Sequence, residues 1–419
     1  MKPYELLEKI GEINDDFVAE ATPKSKARRS SPFARWGTLA ACLALSIFTL
    51  YRVIPSKSID PTPGNDNLPM LTITEGMNEG MGFEGYSAFD ISEIVSDNPW
   101  SPSSSISTLP VYKNPLTYDK YSQVIGSDLE KMKGLLLSVA ERLGMDADST
   151  EITSDVADEY ARAAIIEKFK KAGSPVPEDY FNPSSVILDK NGIRIEVDQQ
   201  LTAKITFSPE IRLPDAYSFT HFATYEKKAE AAEYLKAEFK ELIGMDNAQV
   251  NIYGGDYLVF SGEDIEAYGM DHAQSYHIEF YEGTGEIVGD IVNFNFNKVA
   301  FYPDYEGKLY LARVFQPDLS LLAGDYPIIT AEEAKELLNE GHYLTTVPEK
   351  KPGLEYVAKV ELIYRAYGTE QYYIPYYRFY VELHDTEREN GLKTYGAYYV
   401  PAVEGKYITN MPIWDGSFN

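Results

Sequence analysis

Five histidines, one cysteine and a surplus of carboxylates are what this 419-residue chain offers for chemistry. His221, His272, His277, His342 and His384 form no HExxH pair. His272 and His277 are five apart, on a turn and strand rather than one helical face. With Glu279 they are the best metal-ligand set available, but an exposed strand histidine is the ordinary reading, and no metal or other cofactor is expected. No serine lies in a G-x-S-x-G elbow, and Cys42 sits inside an apolar run, which removes thiol catalysis. Asp146, Asp148 and Glu151 are spaced like the start of a calcium loop, yet the glycine at its sixth position and the glutamate at its twelfth are missing. Carboxylate pairs for glycoside hydrolysis depend on spatial pairing, which a sequence does not display. No catalytic residue is assigned, and the chain is not expected to be an enzyme.

Tyrosine is the residue type in excess, 33 in all, crowded at Tyr372-Tyr373, Tyr376-Tyr377, Tyr380, Tyr395 and Tyr398-Tyr399. Tyrosine buries an apolar body and keeps its hydroxyl wet, which suits both cross-strand packing and recognition of a peptide or glycan. Alternate strand residues face opposite sides, so about half would stand on an open sheet face. Tyr373, Tyr376, Tyr377, Tyr380 and Tyr398 are the candidate ligand-binding residues.

An apolar run, Trp36 to Ile54, sets where such residues would work. Lys24, Lys26, Arg28, Arg29 and Arg35 precede it, and Trp36 and Tyr51 sit where interfacial aromatics belong. At about 1.5 Å per residue the run covers roughly 28 Å, one slightly thinned hydrocarbon core. The basic cluster places the N-terminus in the cytoplasm and the rest of the chain outside. Tyr51-Arg52-Val53-Ile54-Pro55 offers no signal-peptidase site, and Leu39-Ala40-Ala41-Cys42 resembles a lipobox but lies inside the apolar run instead of closing it. An uncleaved, single-pass anchor is therefore expected. The net charge is −27, all of it carried beyond residue 35, which disfavours nucleic acid and favours cations or basic partners. With its only cysteine in the anchor, the outer part forms no internal disulfide, as fits a bacterial protein held by its cores.

Residues 1–35 form a cytoplasmic tail in which 3–21 read as an amphipathic helix. Leu6, Leu7, Ile10, Ile13 and Phe17 make its apolar stripe, with Glu5, Glu8, Glu12, Asp15 and Asp16 on other faces. So short a helix needs a partner to cover that stripe, and its acidic face argues against lipid. Residues 55–115, rich in Pro, Ser, Asn and Gly, read as a stalk, with Trp100 docking on the first folded unit. Then a pattern repeats. Helices are expected at Ser127–Leu143, with Ser127 as N-cap, and at Glu226–Ile243. Both run into Gly-Met-Asp, at 144–146 and 244–246.

A β-prone stretch and a hairpin follow each helix: VILDKNGIRIEV then AKITFSP in the first unit, and YHIEFYEGTGEIVGDIV then NKVAFYP in the second. The turns fall at 190–192 and 283–285, and Pro209 and Pro303 close what read as corresponding strands. An extra helix is expected at Val156–Ala172. Internal duplication accounts for units 116–215 and 216–325. A third unit, 326–419, opens on a helix capped by Thr330 and Glu333 and continues in long β runs. The fold class is α+β: helices on one face of curved antiparallel sheets, the other face free for solvent or a partner.

Thr284-Gly285-Glu286-Ile287 after YHIEFYEG, and ITAEEAKELL at 329–338, resemble PepSY-type units. The strands ending PYYRFYVEL and AYYVPAV make the third unit similar to the outer domains of YycH/YycI-type regulators, single-pass proteins that modulate a cell-wall-sensing histidine kinase. IGEINDDFVAEA, followed by basic residues and WGTLAACLAL, resembles the N-termini of clostridial membrane proteins that look like anti-sigma factors, without their zinc-binding His/Cys cluster. The resemblance implies an envelope regulator of a Gram-positive bacterium. Its tandem PepSY-like units would lie outside, and its cytoplasmic helix would bind a sigma factor or histidine kinase. Two other readings remain: a non-signalling surface protein binding cell-wall polymer or peptide, and an extracytoplasmic hydrolase.

Overall fold

The structure, a computed structural model, describes residues 68–74, 86–89, 97–118, 124–125, 128–146, 151–154, 158–176, 180–219, 225–253, 256–260, 265–267, 277–304, 306–345, 347, 350–366, 370–383 and 393–416. The helix expected at 3–21 and the apolar run 36–54 lie outside the described residues. Among the described residues no helix is long and apolar enough to cross a membrane. The chain divides into Met1–Gly64 and Asn65–Asn419, and the architecture below is that of the second unit.

Two large antiparallel sheets carry it, beside a two-stranded ladder of Thr117–Tyr118 with Val124–Ile125, so the α+β class holds. The first has eight strands in the order Thr153–Ser154, Ser185–Lys190, Ile193–Asp198, Thr202–Arg212, Lys308–Phe315, Lys298–Pro303, His277–Glu282 and Ala248–Tyr253. Helix Leu129–Arg142 precedes the outermost strand of one half, and helix Tyr225–Glu238 that of the other. Each half then steps inward strand by strand until Thr202–Arg212 meets Lys308–Phe315 in the middle, Ile205 opposite Ala312. The order therefore reads the same from either edge, in keeping with a duplicated unit. Alternation builds the core: Ile195, Val197, Ala203, Ile205, Val299 and Phe301 face the helices, whose Met132, Leu136, Val139 and Leu235 close over them.

Local rules explain the ends of these elements. Asp128 caps the first helix in place of Ser127, accepting from the Glu130 and Lys131 N–H groups, both at 3.1 Å. Asn191 and Gly192 (φ 55° and 81°) make the two-residue hairpin turn, and a Cβ on Gly192 would stand 2.1 Å from the Ser208 carbonyl oxygen. The second repeat helix breaks at Phe239, continues as Lys240–Ile243 and ends in left-handed Gly244. The extra helix spans Glu159–Lys171.

Two expectations in this sheet are corrected. The second hairpin does not run on through 283–292, because Ile287–Phe296 is a helix. Thr284 and Asp290 hold its first turn: the Thr284 N–H and hydroxyl donate to Asp290 Oδ1 at 2.6 and 2.8 Å, and the Glu286 N–H donates to Thr284 Oγ1 at 3.1 Å. Buried Ile291 and Phe294 then outweigh the β-propensity of isoleucine and valine. Pro209 and Pro303 also sit in non-equivalent strands. Pro209 lies inside Thr202–Arg212, which bulges where Leu311 pairs with Thr206 and Leu309 with Ile211, whereas Pro303 ends Lys298–Pro303.

The second sheet has nine strands and is not confined to 326–419. Lys393–Pro401 and Tyr372–Glu382 form its centre, and Val357–Arg365 pairs with the latter. Tyr86–Phe89 and Thr108–Lys113 join from the stretch read as a stalk, and Asp256–Phe260 and Ile265–Ala267 from the second unit. Leu322–Pro327 pairs with Thr108–Lys113, and Leu344–Thr345 with Lys393–Pro401. Helix Ala331–Glu340 covers one face. The stalk reading is thereby corrected over its described part: Leu71, Ile73, Leu109 and Val111 are buried. Trp100 docks on Tyr377 of the second sheet, ring centroids 5.4 Å apart, not on the first unit. Helix Ile287–Phe296 ties the sheets together, because Phe296 packs on Tyr364 and Tyr373 and Asn295 Oδ1 accepts from the Tyr364 N–H at 2.9 Å.

Candidate functional site

Strand Tyr372–Glu382 places the candidate tyrosines on both faces of the second sheet. Tyr373 and Tyr377 turn into the core under helix Ala331–Glu340 together with Phe379 and Tyr398. The Tyr377 hydroxyl donates to Ile329 O at 2.7 Å, and Tyr398 stands edge-on to Tyr343 at 5.2 Å. Tyr376 turns the other way, against Leu71, Ile73, Tyr326 and Ile408. Tyr380 is half-buried, with the Arg378 guanidinium 5.1 Å from its ring centre. The expected open tyrosine face is thus corrected at Tyr373, Tyr376, Tyr377 and Tyr398, all buried. Alternation was read properly, but a second layer, Leu68–Thr74 with 403–411, covers the face that was to be free.

Burial has a chemical signature. It pushes the Tyr377 hydroxyl up to about 12, with Glu333 adding to the rise, and it drives Tyr376 upward further still. These side chains are structural phenols, not titrating ones.

The site that geometry does assemble is a cleft of about 80 Å³ where the two sheets meet. Asp128 and Lys131 of the first helix, Gln199 and Gln200 of the turn before Thr202–Arg212, Asp318 of the connection between sheets, and Tyr373 line it. That turn is held by Asp198, whose Oδ1 accepts from the Gln200 and Thr202 N–H groups at 2.9 and 3.0 Å. Leu201 there has φ 58°. Lys131 Nζ donates to Asp318 Oδ2 at 2.5 Å and stands 3.8 Å from Asp128 Oδ2. Burial raises the Asp318 carboxyl, but hydrogen bonds from Lys131 and Ser320 outweigh it and hold the group below the ordinary carboxylate range. The same bond raises Lys131. Two carboxylates, one lysine, amides and a tyrosine edge thus line a small polar recess, well below the size of the apolar pockets that enclose small molecules.

Three further polar clusters are buried in the strands. Glu361 takes Arg378 Nη2 at 2.5 Å and Lys359 Nζ at 2.7 Å. Glu279 takes Lys298 Nζ at 3.2 Å and the Asn251 amide at 3.2 Å. Arg365 and Glu370 pair at 3.4 Å, and the Arg365 guanidinium lies 5.6 Å from the rings of both Tyr376 and Tyr399. Burial raises the Glu370 carboxyl against the pull of Arg365 and Thr74. Such pairs contribute little net stability, but breaking one leaves a buried charge.

Of the remaining sequence candidates, Leu6, Leu7, Ile10, Ile13 and Phe17 lie outside the described residues, as do His221, His272, His384 and Asp148. Glu279 is engaged by Lys298, and His342 Nδ1 donates to Pro412 O at 3.0 Å. Among the described residues no group of His, Cys, Asp and Glu is placed to hold a metal ion. The cleft residues went unread because Lys131, Gln200 and Asp318 look like solvated surface. Only the Asp198-x-Gln200 turn left a local mark.

No family model matches the chain, and no curated protein matches it either. Among solved structures, it is similar to an uncharacterised protein from Eubacterium rectale ATCC 33656, at 11% identity over 72% of this chain and 85% of that one, with a TM-score of 0.31.

Proposed function

We propose that the chain is a membrane-anchored regulatory protein of a Gram-positive bacterium, its folded unit outside the membrane and its N-terminal tail in the cytoplasm. The observation that carries this reading is the order Lys24–Arg35 cluster, apolar run 36–54, acidic domain. In this reading Leu6, Leu7, Ile10, Ile13 and Phe17 bind a sigma factor or a histidine kinase, and tandem PepSY-like units sense an envelope ligand. Repetition of helix and inward-stepping strands supports the tandem reading. The test is retrieval of regulators from a bacterial lysate by the tail (residues 1–35), wild type against the triple variant Leu7→Asp, Ile10→Asp, Phe17→Asp. Capture of a sigma factor or kinase by the wild type alone upholds the proposal, and equal capture or none refutes it. A second reading, a surface protein binding cell-wall polymer or peptide without signalling, is favoured by the polar, amide-lined cleft at Lys131 and Asp318.

A further inference from the structure

Leu68–Thr74 lies on the second sheet as a strap that joins no ladder. Among the described residues its one strand-like pairing is the isolated parallel bridge of Leu71 with Ile408, whereas the ladders around it are antiparallel. Its main chain is what the rest of the molecule grips. The Leu71 N–H donates to Tyr407 O at 2.7 Å, and the Leu71 carbonyl accepts from the Thr409 N–H at 2.8 Å and the Thr409 hydroxyl at 3.1 Å. One amide, Asn410, serves both main-chain groups of Ile73, accepting from its N–H at 2.9 Å and donating to its carbonyl at 2.8 Å. The Tyr326 hydroxyl donates to Pro69 O at 2.7 Å. Leu71 and Ile73 fill an apolar cluster with Tyr326, Ile374, Tyr376 and Ile408, while Met70, from the alternate set, is 50% exposed. Extended peptides are bound this way, main-chain bonds giving affinity and pockets for alternate side chains giving selectivity.

The face under the strap also keeps a polar group that the strap does not satisfy. Tyr376 is buried there, and its hydroxyl has no hydrogen-bond partner, a costly state. The Arg365 guanidinium lies 5.6 Å from the same ring and pairs with Glu370. Thr74 ends the strap on that pair, its hydroxyl accepting from the Gln371 N–H at 3.0 Å and donating to the Glu370 carboxylate. Exchange of straps between two copies would form the same bonds again at the cost of association. A peptide from another protein that also met the Tyr376 hydroxyl would gain a bond the strap forgoes.

We propose that the groove of Tyr326, Tyr376, Ile408, Thr409 and Asn410 is a peptide-binding site that Leu68–Thr74 occupies as an internal ligand. Its external ligand is an extended peptide of another protein with aliphatic side chains at alternate positions. Neither statement depends on the reading of 36–54 as an anchor. The test titrates a fluorescent peptide with the sequence of residues 67–75 against the full chain, wild type and the double variant Leu71→Asp, Ile73→Asp. Binding about a hundredfold tighter to the variant is expected, since its own tethered strap no longer competes. Adding Asn410→Ala to that variant weakens the peptide about tenfold, because both bonds to the Ile73 main chain go. No binding by a folded variant, or equal binding of a peptide carrying the same two aspartates, overturns the inference. Dimers of the wild type formed by strap exchange, seen in light scattering, give the groove to a second copy and also overturn it. If the variant does not fold, amide exchange in the wild type decides. Exchange at Leu71 and Ile73 about tenfold faster than in strand Tyr372–Glu382, with Thr409 protected by excess peptide, upholds the inference, and failure of either overturns it.

Discussion

Replacing Leu71 by alanine separates a stalk from a docked strap. Leu71 is fully buried against Val111, Tyr326 and Ile408, and it forms a parallel bridge with Ile408. Its N–H donates to Tyr407 O at 2.7 Å, and its carbonyl accepts from the Thr409 N–H at 2.8 Å. Asn410 clasps the next turn of chain, accepting from the Ile73 N–H at 2.9 Å and donating to Ile73 O at 2.8 Å. Leu71→Ala leaves these backbone bonds in place and removes only packing, at a cost of about 3 kcal/mol for a leucine in a site that relaxes little. For a unit as long as Asn65–Asn419, an unfolding entropy of roughly 2.1 cal/mol/K per residue converts that into a Tm lower by about 4 °C. Calorimetry on the full chain reads the shift, and amide exchange at Leu71 and Thr409 tells whether the strap opens before the sheets do. An unchanged Tm with unchanged exchange at both amides would refute the docked strap.

Phe296→Ala is expected to destabilise by about 3–5 kcal/mol, because that ring packs on Tyr112, Tyr364 and Tyr373 across the junction of the sheets. Urea unfolding that loses the second sheet before the first would show the junction giving way. Thr330→Ala removes a capping box in which the Glu333 N–H donates to Thr330 Oγ1 at 3.2 Å and the Thr330 N–H to Glu333 Oε2 at 2.7 Å, a loss of about 1 kcal/mol in the same assay. Asp318 titrates below the ordinary carboxylate range, so the stability it contributes is present above an unfolded pKa of about 3.9 and is lost as pH falls through its folded value. Lys131→Met removes that contribution, and the gap in urea midpoint between variant and wild type is expected to close in acid. A gap that persists there would show the pair to be unlinked from folding.

Local chemistry was legible where one short motif decides an element. Thr330 and Glu333 announced their helix, Asn191-Gly192 its hairpin, and Gly244 its helix end, because each acts through neighbours a few residues away. The like spacing of the two helices was visible in the sequence, though not that the strands after each share one sheet, since nothing in Thr202–Arg212 names a partner about a hundred residues on. Helix Ile287–Phe296 was misread because its apolar residues fit a strand as well as a helix, and only the Thr284–Asp290 bonds break the tie. The larger loss was Leu68–Lys113. Its prolines and serines read as solvated linker, yet Leu71, Ile73, Leu109 and Val111 are buried, and the tyrosine face depends on them for its cover. The cleft at Lys131 and Asp318 joins residues from distant parts of the chain, which no periodicity records.

Placing Thr202–Arg212 beside Lys308–Phe315 at the centre of the eight-stranded sheet imposes a schedule on the newborn chain. The inner strand of the first half emerges with its core side chains, Ala203, Ile205 and Phe207, ready to pack, but its outer backbone edge has no partner until the last strand of the second half is made. At about 5–20 residues per second the interval is roughly 5–20 s. An edge left open that long invites pairing with another nascent chain. Once the second half arrives, each half covers the vulnerable edge of the other in a fixed one-to-one ratio. Two separate copies of a single unit would reach that arrangement only at sufficient concentration, whereas the fused chain carries its complement with it.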